Sequence, residues 1–204
     1  MKCTDFNKLP KENQWVSRLT VVDSCSDKGA RYKVGINPQG HRFICEFGIH
    51  EFSKRLLAEL PPADKRDGYL EFQHDHDWIL DGIQTGGANS KPGIISWIRG
   101  LSNHRLLLDV SPELVFFEGH FPGNPILPGI VQVHWAAGIS KSLFSFDGIP
   151  CEIKRLKFSN IVQPPSVLEL LLDQKNETEV KFQFVSFGRM HSMGSLVFKE
   201  DLSC

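Results

Sequence analysis

The sequence predicts an α+β protein in two parts. A small α/β unit occupies residues 1–100, and in residues 101–204 an antiparallel sheet curls around one central helix. Three observations carry this. The texture changes near residue 100, where Gly86-Gly87, Asn89-Ser90 and Pro92-Gly93 punctuate residues 86–103. Ile130, Val131, Val133, Trp135, Ala136, Ala137 and Ile139 make one helical segment apolar nearly all round, which demands burial. Around it stand five strand-length segments and no second long helix, so the sheet must wrap the helix.

In the first part, residues 18–23 and 31–36 read as strands separated by a polar turn. Residues 44–60 read as one helix with Phe47, Phe52, Leu56, Leu57 and Leu60 on a face, stopped by Pro61-Pro62. His74-Asp75-His76-Asp77 has metal-binding residue types, but without further ligands at a suitable spacing it reads as a solvated polar stretch, and no metal is assigned. In the second part, residues 105–110 form a strand and residues 119–129 a loop dense in Gly and Pro. The helix follows Pro128-Gly129 and runs to about Phe144, because proline is tolerated at a helix entrance. Residues 152–158, 167–172, 180–187 and 192–199, rich in Phe, Val and Leu, complete the sheet.

Composition narrows the function. Apolar residues make up 41% of the 204 and charged residues 23%, which excludes a disordered chain or a disulfide scaffold. The net charge of −1 provides no global field for nucleic acid or a membrane surface. Five scattered cysteines without a Cys-x-x-Cys pair fit free thiols in a reducing compartment. The N-terminus lacks an apolar signal region and no stretch reaches the ~18 apolar residues of a spanning helix, so a cytoplasmic location is expected. Fifteen Phe against two Tyr means that most aromatic surface has no polar handle and must be buried or grip something apolar.

The chemistry concentrates in Phe116-Phe117-Glu118-Gly119-His120-Phe121-Pro122-Gly123-Asn124-Pro125-Ile126-Leu127-Pro128-Gly129. Three prolines and three glycines constrain this loop around one titratable group near neutrality, His120, and such loops usually exist to position something. At Gly129 the first free amides of the helix can face a carbonyl oxygen that gains negative charge. His134, inside the helix's first turns, is a second ionisable group that is expensive there unless used or paired. Gln132 stands close to the loop with its partner left open. Phe116, Phe117, Phe121, Ile126 and Trp135 could line an apolar channel or be ordinary core. Lys141, Lys154, Arg155, Lys157 and Arg189 could form a basic rim or a solvated face.

Residues 116–129 resemble the signature of the β-hydroxyacyl-acyl-carrier-protein dehydratases of the hotdog fold, aromatic-aromatic-x-Gly-His-Phe-Pro-x-x-Pro-x-x-Pro-Gly, at every defined position. The resemblance extends more weakly over about residues 103–200. It implies a lyase that needs no cofactor, converts a 3-hydroxyacyl thioester on acyl carrier protein or CoA into a trans-2-enoyl thioester, and serves fatty-acid-like or polyene synthesis. His120 would take the C2 proton and Gly129 would donate its amide to the thioester carbonyl. The family's proton donor, a helix carboxylate usually from the partner subunit, is replaced here by His134. Imidazole can still donate a proton, so a His120/His134 pair is the expected machinery. The alternatives are a pocket that only binds acyl thioesters, or a thioesterase. A homodimer is expected because the family shares its sites across an interface and a curled sheet leaves an edge to cover.

Residues 15–98 more faintly resemble the C-terminal subdomain of acyl-CoA synthetases (AMP-dependent ligases). That resemblance rests on Val34-Gly35-Ile36-Asn37-Pro38-Gln39-Gly40, on Lys54-Arg55-Leu56-Leu57 and on Asn89-Ser90-Lys91. With no large adenylating portion, no ligase activity is implied.

Overall fold

The computed structural model describes residues 14–23, 31–60, 69–74, 76–83, 89–118 and 123–199. Two compact units divide between Asp75 and His76. In the first, β1 (Val16–Asp23) runs antiparallel to β2 (Arg31–Ile36), and β2 runs parallel to β3 (Tyr69–Phe72). A parallel pair requires a crossover, and α1 (Pro38–Phe47) with α2 (Ile49–Glu59) provides it. The Asn37 side chain starts α1 by accepting the amides of Gln39 and Gly40, both at 2.9 Å. The single helix expected over residues 44–60 is instead two. Gly48, with φ 87°, ends α1 by donating to the Ile44 carbonyl and redirects the chain into α2. Glycine takes that backbone without steric strain. The apolar face persists through the break, with Ile44, Phe52, Leu56 and Leu60 buried.

The second unit is a six-stranded antiparallel sheet in the order β4-β5-β7-β8-β9-β6. Its strands are β4 (Gly93–Arg99), β5 (Asn103–Val110), β6 (Glu152–Phe158), β7 (Ser166–Gln174), β8 (Glu179–Ser186) and β9 (Arg189–Val197). Helix α3 (Gly129–Phe144) is enclosed by it. This is the hotdog arrangement. Strand β4 lies within the stretch whose punctuation suggested a break, so the sheet holds one strand more than the sequence indicated. Asn89-Ser90-Lys91 also falls in this unit, where the Lys91 ammonium donates to the Leu80 carbonyl at 3.0 Å. That removes one of the three segments on which the ligase resemblance of the first part rested. Of the His74–Asp77 stretch, Asp75 lies outside the described residues, and the His76 ring meets Trp97 edge-on at 5.6 Å. Among the described residues no helix is long and apolar enough to cross a membrane.

Alternation along β5, β7 and β8 turns Leu106, Leu108, Leu168, Leu170, Phe182 and Phe184 into one core with Trp135, Ala136 and Ile139 of α3. Burying an aromatic side chain such as Phe182 or Trp135 removes about 150–250 Å² from water, roughly 4–6 kcal/mol as an upper value. A 3-10 turn (Asp77–Gly82) closes over α3, and its Gly82 amide donates to Ser142 Oγ at 2.9 Å. The approach needs glycine on the helix side: a Cβ at Gly138 would stand 2.7 Å from the backbone of Ile83.

On β5 His104 is buried, and its Nδ1 accepts the Trp97 indole N–H at 3.4 Å. An indole can only donate, so the imidazole is neutral there. Burial, and then the charge of Arg99, hold its pKa below the ordinary 6.5. The unfolded chain takes up this proton near pH 6.5 and the folded chain only lower. The stabilisation is therefore complete above about pH 6.5 and is lost as pH falls below it, by at most about 1.4 kcal/mol per pH unit. Urea unfolding at pH 7.5, 6.5 and 5.5 should show a steeper loss for the natural protein than for His104→Gln; equal slopes would contradict this.

Candidate functional site

Helix α3 begins at an unusual entrance. Pro128 occupies the cap position and offers no side chain to the helix amides. The amides of Val131 and Gln132 return to the Pro128 carbonyl at 3.0 and 3.4 Å, whereas those of Gly129 and Ile130 have no partner among the described residues. A helix start left open in this way presents partial positive charge to whatever lies in front of it.

What lies in front is a cavity of about 380 Å³ walled by Leu127, Gly129, Gln132, Phe158 and Ile161. Its far wall is pinned. Leu127 donates its amide to the Val162 carbonyl at 2.8 Å, and Ser159 donates to the His191 carbonyl at 2.8 Å. The His191 ring donates from Nδ1 to the Ile161 carbonyl at 3.0 Å, leaving Nε2 to accept the Ser186 hydroxyl at 2.6 Å. Phe158 lies so close over the helix start that any Cβ at Gly129 would collide with its ring.

A second cavity, of about 290 Å³, opens on another side of α3 and is lined by Val133, His134, Ala137, Lys141, Ile149 and Ile153. His134 is half-buried there, and its Nε2 is shut off from solvent with no hydrogen-bond partner among the described residues. Only the side chain of Ile130, 68% exposed, borders both cavities among the described residues. Five residues of helix separate Gly129 from His134, a turn of about 140° around the axis. The structure therefore does not bring these two into one cavity of a single chain.

Of the other residues singled out by the sequence, His120 and Phe121 lie outside the described residues. Phe117 and Phe116 are partly buried against the core. Trp135 is core in this structure: it is fully buried, borders neither cavity, and donates its indole N–H to the Ser90 carbonyl at 3.2 Å. Lys154 is held between Glu152 and Glu179 at 3.8 and 3.6 Å, which spends much of its charge inside the chain. What the sequence did not supply is the partner of Gln132. The Ser192 hydroxyl, on β9, donates to its Oε1 at 2.7 Å, with both residues buried.

Comparison with known proteins fits this geometry. Over 101 residues the chain is 33% identical to the 3-hydroxyacyl-[acyl-carrier-protein] dehydratase FabZ of Ruminiclostridium cellulolyticum, a match that covers 44% of this chain and 71% of that protein. The chain belongs to this dehydratase family. The FabZ of Levilactobacillus brevis is 37% identical over 65 residues, covering 28% of this chain and 44% of that one, so the chain spans less than half of this relative's length. A family model described as ApeI-like, ApeI dehydratase, matches residues 99–195. Among solved structures, the dehydratase heterocomplex ApeI:P from Xenorhabdus doucetiae aligns with a TM-score of 0.50 and 25% identity, covering 54% of this chain and 99% of that one. The matched family residues 99–195 contain α3 and five of the six strands of the hotdog sheet in whole or nearly so.

A polar atom that is buried and unpaired is a stability liability of about 1–3 kcal/mol. His134→Leu removes that atom while keeping the bulk, so unfolding in urea should show unchanged or higher stability, by up to about 1 kcal/mol. A clear loss of stability would mean that the imidazole is held by a partner and kept for structure.

Proposed function

We propose that the chain is a 3-hydroxyacyl thioester dehydratase whose site is completed by a second copy of itself. The observation that carries the reading is the unpaired, buried Nε2 of His134 beside a cavity, on the helix whose open N-terminus the family loop precedes. His120 removes the proton from C2, and the electron pair forms the C2–C3 double bond. The C3–O bond breaks, and the oxygen takes a proton from His134 and leaves as water. The negative charge that gathers on the thioester oxygen meets the open amide of Gly129. Two histidines suit the task because one must be neutral to accept a proton and the other must hold one.

The reading takes a second copy because His134 and the Gly129 amide of one chain border different cavities. The surface around them supports such pairing. Strand β6 ends the sheet and is exposed along nearly its whole length. It carries Ile153, Leu156 and Phe158 at 41, 40 and 50% exposure, beside Ile149 at 76% and Ile161 at 57%. An apolar edge strand invites another strand. A bulge at Arg155, which sits at φ 53°, breaks its ladder with β9. The substrate is an acyl chain carried by acyl carrier protein or by CoA, and the exposed Arg155 and Lys157 beside this edge suit an acidic carrier.

The purified protein should run as a dimer in light scattering and convert a 3-hydroxyacyl carrier-protein thioester into the enoyl thioester. His120→Ala and His134→Leu should each remove the activity by a factor of about 100 or more while remaining folded. A natural protein that is inert, with activity appearing only in His134→Glu, would make this an acyl-thioester-binding domain instead. Release of the free acid in place of the enoyl product would make it a thioesterase.

A further inference from the structure

We propose that Gln132 is a second hydrogen-bond donor to the thioester carbonyl, held in place by Ser192; the proposal rests on the dehydratase reading and assigns a residue to its oxyanion site. Gln132 is a polar residue on the buried face of α3. Only 3% of it is exposed, and it borders the cavity in front of the helix start together with Gly129. Its Oε1 accepts the Ser192 hydroxyl, and this fixes which way the carboxamide points. The Nε2 group then has two N–H donors and no partner among the described residues. This nitrogen is not among the side-chain atoms shut off from solvent, so its two N–H donors are open to the cavity, where an acceptor can arrive with a ligand.

Helix geometry sets the position of that acceptor. Residues three apart lie on the same side of a helix, and side chains lean back toward its N-terminus. Gln132 therefore leans toward the turn that begins with Gly129. The Gly129 amide and the Gln132 carboxamide are thus two neutral donors on one side of the helix start, both bordering the same cavity. Neutral donors suit a carbonyl oxygen that becomes enolate-like: they bind the ground state weakly and the charged state strongly. Ser192 is a positioning residue in this arrangement. It lies on β9 opposite Phe158 of β6, so the strand that aligns the donor is paired with the one that walls the cavity.

The probe is crotonyl pantetheine carrying a ¹³C=O label, read by difference infrared spectroscopy on the natural protein, Gln132→Met and Ser192→Ala. A bound carbonyl with two donors absorbs at lower frequency than in water. Gln132→Met should lose a clear part of that shift and lower kcat by roughly 100-fold with little change in KM, as for loss of an oxyanion donor. Ser192→Ala, which keeps the donor but frees it, should give a smaller loss of both and carries the test if Gln132→Met does not fold. An unchanged carbonyl frequency and kcat in Gln132→Met overturns the proposal and leaves the dehydratase reading intact. A shifted carbonyl that depends on Gln132 in a protein without turnover supports the donor and overturns the dehydratase reading. Failure to bind the probe at all overturns both.

Discussion

Helix α3 carries apolar side chains on nearly every side, so it must be enclosed. The curled sheet, the 3-10 turn at Asp77–Gly82 and the aromatic layer around Phe146 and Phe198 enclose it. Once that happens, the first turn of the helix is where its polar backbone can meet a ligand. The glycines at 82 and 138 allow the enclosing turn to approach to backbone contact, and glycine at 129 lets Phe158 lie over the helix start. The cavity in front of Gly129 is a consequence of how tightly one helix is wrapped.

The same constraint leaves polar groups on α3 that a folding protein would otherwise shed. Among the described residues His134 keeps a buried nitrogen without a partner, and Gln132 keeps a carboxamide nitrogen that is open to a cavity and has no partner. Each borders a cavity. They lie on different sides of α3, so a single chain presents two half-equipped cavities. The exposed apolar edge at β6 is where the proposed second copy would supply the missing half.

Much of this was legible in the sequence because it depended on local pattern. The all-round apolar run from Gly129 located α3 to within a residue, and alternation of Leu, Val and Phe located β5 and β7–β9. What escaped notice had a physical cause. Tyr69–Phe72 is only four residues long and is fixed by a parallel partner far away in sequence. Gly93–Arg99 follows Pro92 directly, so the punctuation that looked like a boundary is the turn before a strand. Gly48 broke a helix whose apolar spacing continued through it. At the site, residue types were readable but their grouping was not. Nothing in a linear pattern shows that Gln132 meets Ser192, or that His134 and Gly129 open onto separate cavities.

The central claim, that one chain's His120 works with another's His134, is tested most directly by mixing. His120→Ala and His134→Leu proteins, each inactive alone, are unfolded together, refolded as a mixture and assayed for enoyl formation. Mixed dimers contain one site in which both histidines are intact, so the account predicts that activity returns in the mixture and not in either protein refolded alone. A mixture as inactive as its components, with dimers formed normally, would contradict it.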